Sequence, residues 1–187
     1  MSKREFKPGN MLYPLPAVMV SCADREGNDN ILTIAWTGTI CSDPPMVYIS
    51  VRPERHSYSM IRESGEFVIN LTTRDLAFAT DFCGVRSGSK VDKWDEMKLT
   101  GEPARVVKAP LIAECPVNIE CQVTQVVPLG SHDMFMAKVV SVSVDEAYMD
   151  ADNKFHMADA NLMAYVHGEY YGMDEWLGRF GYSVRKK

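Results

Sequence analysis

A run of small hydroxyl-bearing residues surrounds a tryptophan in the stretch ILTIAWTGTICS, which spans residues 31–42. Threonine is common in strands, so a solvated strand face is one interpretation of Thr33, Thr37, Thr39 and Ser42. The alternative is a surface of short side chains on which a flat ligand approaches the backbone. Backbone amides and hydroxyl groups would then hydrogen-bond the carbonyls and ring nitrogens of that ligand.

A basic cluster follows the next apolar segment, at Arg52, Arg55 and His56. Solvated charge on a turn is the simplest interpretation of this cluster. However, a helix that begins near Ser57 would present free backbone amides, and such a helix end attracts anions such as phosphate. A second cluster, RSGSK at residues 86–90, predicts that one phosphate is held from two sides, although the P-loop pattern GxxxxGK[ST] is absent from the sequence.

The remaining polar residues indicate no hydrolytic or metal chemistry. His132 and Asp133 are interpreted either as an exposed turn pair or as polar groups at the mouth of a pocket. No Ser–His–Asp or Cys–His arrangement is recognisable by spacing, so hydrolysis is not predicted. The five cysteines are widely spaced without a CxxC pair, which predicts reduced, mostly buried thiols and no metal site.

Length and composition are those of an ordinary globular chain. With 187 residues and 46% hydrophobic residues, the chain is expected to form a single domain over residues 1–187, in which residues 165–187 form an aromatic arm. The net charge of −5 argues against nucleic acid as the main partner. Because no long apolar run is present, we expect neither a secretory leader nor a membrane span, and therefore a cytoplasmic location.

Apolar patterning predicts an antiparallel β-barrel of six or seven strands with short helical insertions. AVMVSC and ILTIAW are expected to form a hairpin, and two longer segments, 118–130 and 134–146, form another. MVYISV reads as a strand buried on both faces, and EFVINL as a further strand. Helices are predicted before Gly65, which would end the first of them, and after Thr72, which has capping-box spacing to Asp75.

These segments together resemble one family. The stretch ILTIAWTGTICSDPPMVYISVRPERHSYSMIRESGEFVINL is similar to the flavin reductase-like, FMN-binding split-barrel proteins, which include flavin reductases, flavoredoxins and an archaeal-type ferric reductase. The resemblance continues through LAFATDFCGVRSGSKVDKW and LGSHDMFMAKVVSV, and it covers residues 15–144. It implies a mainly β, six-stranded antiparallel barrel of Greek-key type, a homodimer, and FMN bound without a covalent link at the barrel rim.

The resemblance also implies which residues contact FMN. Those along the isoalloxazine ring and ribityl chain are Thr33, Trp36, Thr37, Gly38 and Thr39. Those that continue toward the phosphate, or surround it, are Ser50, Val51, Arg52, His56, Ser57, Ser87 and Lys90. Cys83 and Gly84 match a segment that approaches the cofactor. His132 matches a histidine near the nicotinamide position and is the one candidate catalytic residue.

The implied activity is that of an NAD(P)H-dependent flavin oxidoreductase. NADH or NADPH would donate a hydride to the flavin, and free flavin, a ferric chelate or a redox protein would accept the electrons. The rival hypothesis is a flavoredoxin-like electron carrier without direct NAD(P)H turnover. A binding module that has lost its flavin is disfavoured by the intact set of Arg52, His56, Ser87 and Lys90. The aromatic tail from Tyr165 either packs in the core and dimer or forms a lid over the flavin.

Overall fold

The computed structural model describes residues 2–173 and 175–184. Its strands are β1 (Leu15–Pro16), β2 (Val18–Ala23), β3 (Asp29–Ile34), β4 (Thr37–Ser42), β5 (Pro45–Val51), β6 (Glu66–Leu71), β7 (Gly101–Glu102), β8 (Leu111–Ile112), β9 (Val117–Pro128), β10 (Asp133–Val144), β11 (Met163–Val166) and β12 (Glu169–Gly172). Its α-helices are α1 (His56–Ser64), α2 (Ala77–Val85) and α3 (Lys93–Met97). Short 3-10 helices occupy Arg74–Leu76, Glu146–Tyr148, Met157–Ala160 and Tyr182–Val184.

Seven strands form one antiparallel sheet in the order β3-β2-β6-β9-β10-β5-β4. The two edge strands, β3 and β4, are consecutive in the chain and are separated only by Ala35 and Trp36. The chain therefore leaves one edge of the sheet and begins the other within two residues. Two small sheets accompany the main one, with the orders β1-β11-β12 and β7-β8.

One apolar core lies on the inner face of the main sheet. Alternate residues of the strands point into it, among them Val20, Ile49, Phe67 and Phe135, all of which are fully buried. α1 adds Tyr58, Met60 and Ile61 to the same core. A second apolar cluster contains residues of β2, β3 and α2, including Met19, Ile31 and Cys83, so β2 is buried along its whole length.

Several sequence predictions are confirmed. Both predicted hairpins exist, as β2–β3 and β9–β10. α1 ends at Gly65, which has a φ of 70° and donates its backbone amide to the carbonyl of Ile61. The prediction of a mainly β chain is also confirmed, and four of the five cysteines are buried free thiols.

Three details of the prediction need correction. The main sheet has seven strands instead of six, because the hydroxyl run after Trp36 forms its own strand, β4. β5 alternates between buried and half-exposed residues, so it is buried on one face only. The Thr72 hydroxyl donates to the carbonyl of Ala17 instead of capping a helix, and α2 has no side-chain cap.

The aromatic tail is partly built into the fold. β11 pairs with β1, which places Tyr165 opposite Leu15, and β12 pairs with β11. Beyond β12, Trp176, Leu177 and Phe180 are largely exposed. Residues 174 and 185–187 of the predicted arm lie outside the described residues. No helix of the described residues is long and apolar enough to span a membrane.

Candidate active site

Two neighbouring cavities lie where the ends of β3 and β5 meet α1 and α2. The first, here called the aromatic cavity, has a volume of about 470 Å³ and is lined by Trp36, His132, Tyr165 and Tyr170 together with residues of β3 and β5. The second, the basic cavity, has a volume of about 440 Å³. Four residues line both cavities, namely Leu32, Arg52, Arg55 and Val85. The two cavities therefore form one continuous depression.

The aromatic cavity is bounded by stacked rings. Trp36 and His132 lie parallel, with an interplanar angle of 2° and ring centroids 6.2 Å apart. Tyr165 contacts Trp36 at 6.3 Å and Tyr170 at 5.7 Å between ring centroids. These flat faces suit a planar ligand.

His132 is held at the tip of the β9–β10 hairpin. Its Nδ1 is 2.9 Å from the Ser131 hydroxyl oxygen, and the next residue, Asp133, accepts a hydrogen bond from the Tyr58 hydroxyl. That bond ties the hairpin to α1. Burial lowers the pKa of His132 below its ordinary value of 6.5, and the positive charge of Arg52 lowers it further. Both effects favour the neutral form of the ring.

The basic cavity surrounds the start of α1. Ser57 is buried at the first turn, and its hydroxyl accepts a hydrogen bond of 2.7 Å from the side-chain amide of Asn30. The loop that carries Ser87 packs against the same asparagine, since a Cβ at Gly88 would lie 2.2 Å from Asn30 Oδ1. Only glycine allows the loop to approach this closely. The amide of Tyr58 donates to the carbonyl of Arg55 at 2.9 Å, so the amides of His56 and Ser57 are the first-turn donors that remain for an anion in this cavity.

Lys93 is the least expected residue of the basic cavity. Its side chain is 2% exposed, and its ammonium donates to the carbonyls of Ile31, at 2.6 Å, and Cys83, at 2.8 Å. A lysine has three donors, so one is left over. Among the described residues, no carboxylate lies within 4.0 Å of this ammonium. Burial lowers the pKa of Lys93, and a bound anion would offset that cost.

The basic cavity has an excess of positive charge. Arg52, Arg55, Arg86 and Lys93 line it, and Glu54 is the one carboxylate among the described lining residues. Glu54 and Arg52 form an exposed ion pair of 3.5 Å. Arg55 also donates to the carbonyl of Gly84 at 3.0 Å, which joins the start of α1 to the end of α2. An anionic group is the chemistry that this set of side chains suits best.

Most of the residues proposed from the sequence converge on this depression. Those that line the aromatic cavity are Thr33, Trp36, Ser50, Val51, Arg52, Gly84 and His132. Those that line the basic cavity are Arg52, His56, Ser57 and Ser87. Five proposed residues line neither cavity, namely Thr37, Gly38, Thr39, Cys83 and Lys90. Their contact with a cofactor stays a prediction.

Two of the predicted ligand hydroxyls already have internal acceptors. Thr33 donates to the carbonyl of Thr80 on α2, and Thr37 donates to the carbonyl of Tyr48 at 2.6 Å. Thr33 also packs closely against α2, since a Cβ added at Gly84 would lie 3.1 Å from the Cβ of Thr33. These hydroxyls position β3 and β4, which leaves their oxygens as acceptors for any ligand.

Sequence reasoning missed several lining residues, namely Asn10, Asn30, Asp81, Lys93, Tyr165 and Tyr170, as parts of the site. Asp81 accepts a hydrogen bond of 3.3 Å from the Tyr170 hydroxyl, which joins α2 to β12. Burial raises the pKa of Tyr170 to about 12, and the Asp81 charge contributes to that shift. No spacing in the sequence brings these residues together, although the aromatic richness of the tail was a partial signal.

The chain is similar in sequence and in structure to known proteins. The chain is 30% identical over 159 residues to an uncharacterized protein of Archaeoglobus fulgidus, which covers 85% of this chain and 86% of that one. The structure of the present chain is similar to that of the flavoredoxin of Desulfovibrio vulgaris (Miyazaki F). The TM-score is 0.91 at 28% identity, and the match covers 98% of this chain and 100% of the flavoredoxin. A Shewanella frigidimarina structure, described as having a split barrel domain, shares the fold with a TM-score of 0.80, 21% identity and coverage of 90% and 86%.

The family model for the flavin reductase like domain matches residues 11–174. This match includes the main sheet, all three α-helices and every residue described above for the two cavities except Asn10. The chain therefore belongs to the flavin reductase like domain family.

Proposed function

We propose that this protein binds FMN without a covalent link and oxidises NADH or NADPH, with free flavin, a ferric chelate or another acceptor taking the electrons. The observation that carries the proposal is the continuous depression, which has a flat aromatic end and a basic end. FMN has the same polarity, since it joins a planar ring to a phosphate monoester. Both cavities have volumes in the range typical of small-ligand sites.

The residues of the depression would divide the binding of FMN between them. Trp36, Ser50 and β3 would hold the ring. The phosphate would be held by Arg52, Ser57, Ser87 and Lys93. Arg55 lines both cavities and would contact the part of the ligand between ring and phosphate. When bound, FMN would supply the hydride and electron chemistry, so the protein needs only to bind, orient and exclude water.

The test is a visible absorption spectrum of protein that has been reconstituted with FMN and then desalted. We expect flavin bands that survive desalting and that bleach when NADH or NADPH is added without oxygen. Loss of the flavin on desalting would show a loosely held flavin substrate or a wrong cofactor site. The Arg52→Ala variant tests the phosphate end, where unchanged FMN affinity would contradict the assignment.

A flavoredoxin-like electron carrier is the second candidate. It is supported by the similarity to the Desulfovibrio vulgaris flavoredoxin, which extends over 98% of this chain at 28% identity. A carrier would retain its flavin bands in the presence of NADH and NADPH but lose them on chemical reduction. The two functions are therefore separated by the same anaerobic experiment.

We also propose that the protein is a homodimer. The exposed aromatic and aliphatic residues at the two chain ends, which include Phe6, Leu12, Trp176 and Phe180, support an interface between two copies. Each of these four side chains has more than 70% of its surface exposed. A second copy is the simplest cover for them, and light scattering would give the mass of the particle in solution.

A further inference from the structure

The aromatic cavity has one carboxylate, that of Asp81, among its described lining residues. Its charged lining residues, among those described, are Arg52, Arg55 and Asp81. The two arginines also line the basic cavity, but Asp81 belongs to the aromatic cavity alone. No cationic side chain of the described residues lies within 4.0 Å of the Asp81 carboxylate.

Asp81 lies at the end of a continuous row of aromatic contacts. Trp36 contacts Tyr165, Tyr165 contacts Tyr170 at an interplanar angle of 62°, and the Tyr170 hydroxyl donates to Asp81. We call these four residues the Asp81 recess. Aromatic faces and a carboxylate in one recess form a site that favours a flat cation over a flat anion.

We propose that the Asp81 recess binds the nicotinamide ring of NADH or NADPH and favours it in its positively charged, oxidised form. This inference rests on the proposed function and names the second ligand of the same site. Tyr170 acts as a positioning residue, because its hydroxyl fixes the Asp81 carboxylate. Repulsion by the same carboxylate disfavours anionic acceptors, such as negatively charged ferric chelates, in the recess.

The charge on the nicotinamide explains why such a recess would assist the reaction. In hydride donation, the C4–H bond of the dihydronicotinamide would break with its electron pair, and flavin, when bound, would be the two-electron acceptor. The ring left behind is a pyridinium cation. A carboxylate and aromatic faces interact more strongly with this cation than with the neutral reactant, so they stabilise the charge that develops during transfer.

Three pyridine probes of similar size would test the inference without any redox step. They are 1-methylnicotinamide, which is a cation, nicotinamide, which is neutral, and nicotinate, which is an anion. Ligand-observed NMR on the FMN-loaded protein in air would give their dissociation constants. We expect the cation to bind about tenfold more tightly than the anion, as one exposed carboxylate and one cation–π contact allow.

Matched variants assign the preference to the carboxylate. Asp81→Asn should reduce the cation preference to threefold or less, because it removes the contribution of one exposed charge pair to binding. Asp75→Asn is the control, since Asp75 is an exposed residue two positions before α2 that lines neither cavity. It removes the same charge and should leave the preference unchanged. Tyr170→Phe should lower the preference while the affinity for neutral nicotinamide stays the same.

The outcomes separate this inference from the proposed function. Equal binding of cation and anion by the unmodified protein, no binding of any probe, or equal effects of the Asp75 and Asp81 variants would each overturn it. A cation preference that depends on Asp81 supports the recess even if NADH and NADPH fail to bleach the flavin. In that case the nicotinamide subsite would stand, while the proposed turnover would fail.

Discussion

Replacing Lys93 with methionine tests the basic cavity most directly. Methionine keeps most of the length of the side chain but removes the ammonium, which is 2% exposed and has one unused donor. Two unit charges 4 Å apart interact by about 4 kcal/mol at an effective dielectric constant of 20. Part of this is offset because FMN can shift toward Arg52 and Arg55. We therefore expect a loss of about 2–3 kcal/mol, or roughly 30- to 150-fold in the FMN dissociation constant.

Lys90→Met is the matched control for this experiment. Lys90 lies three residues earlier, is exposed, and lines neither cavity. The sequence alone favoured Lys90 for the phosphate, whereas the structure places Lys93 in the basic cavity. Quenching of flavin fluorescence measures both affinities, and thermal unfolding confirms that each variant is folded. A loss of FMN affinity that is larger for Lys90→Met, or a Lys93→Met variant within twofold of the unmodified protein, would refute the reasoning.

The same lysine predicts an alkaline limit to FMN binding. Burial lowers the pKa of Lys93 below its ordinary value of 10.5. As the pH rises through this lowered pKa, the ammonium loses its proton and FMN affinity should fall. The effect should be absent from Lys93→Met, because no titrating group remains at that position. An identical alkaline loss in both proteins would assign it to another group.

Four further predictions concern the site, the core and the proposed dimer. His132 should titrate below pH 6.5 by NMR, because burial and the charge of Arg52 both lower its pKa, and Arg52→Ala should raise that pKa. The same variant should weaken FMN only about three- to tenfold, since Arg52 is exposed and paired with Glu54. Glu120→Gln should lower the free energy of unfolding in urea by about 2–3 kcal/mol, because the buried carboxylate accepts the amides of residues 105–107. Trp176→Ser combined with Phe180→Ser should shift the particle toward the monomer mass by light scattering; an unchanged mass would place the dimer contacts elsewhere.

Local signals in the sequence were sufficient for the hairpins and for α1. The β2–β3 turn contains Asp24 and Gly27, and the Asp24 carboxylate accepts two backbone amides of that turn. Gly65 adopts a left-handed conformation that ends α1. Each of these features depends on residues within a few positions of one another. Such interactions are visible in a sequence without knowledge of the fold.

Contacts between residues that are distant in the sequence could not be predicted from local patterns. β4 pairs with β5 by a local hairpin, but its position at the far edge from β3 depends on five intervening strands. Lys93 stands in the polar stretch KVDKWDE, which is typical of a solvated loop. In the fold, Lys93 is buried because its ammonium donates hydrogen bonds to the carbonyls of Ile31 and Cys83. Ile31 is distant from Lys93 in the sequence, so this contact could not be predicted from local patterns. Asp81 and Tyr170 are 89 residues apart and meet only in the folded chain.

The break between β3 and β4 explains why the site forms at this point of the barrel. The amide of Thr37 donates to the carbonyl of Ala35, and the amide of Ser50 donates to the carbonyl of Trp36, so the backbone is held rigidly across the break. Ala35 and Trp36 belong to neither edge strand and line the aromatic cavity. In a continuous strand, the backbone of these two residues would instead take part in the regular hydrogen bonds between strands. The split in the sheet therefore places a short segment, held by two backbone hydrogen bonds, where a flat ligand can lie against it. The positive charges come from Arg52 and Arg55 before α1, Arg86 after α2 and Lys93 on α3.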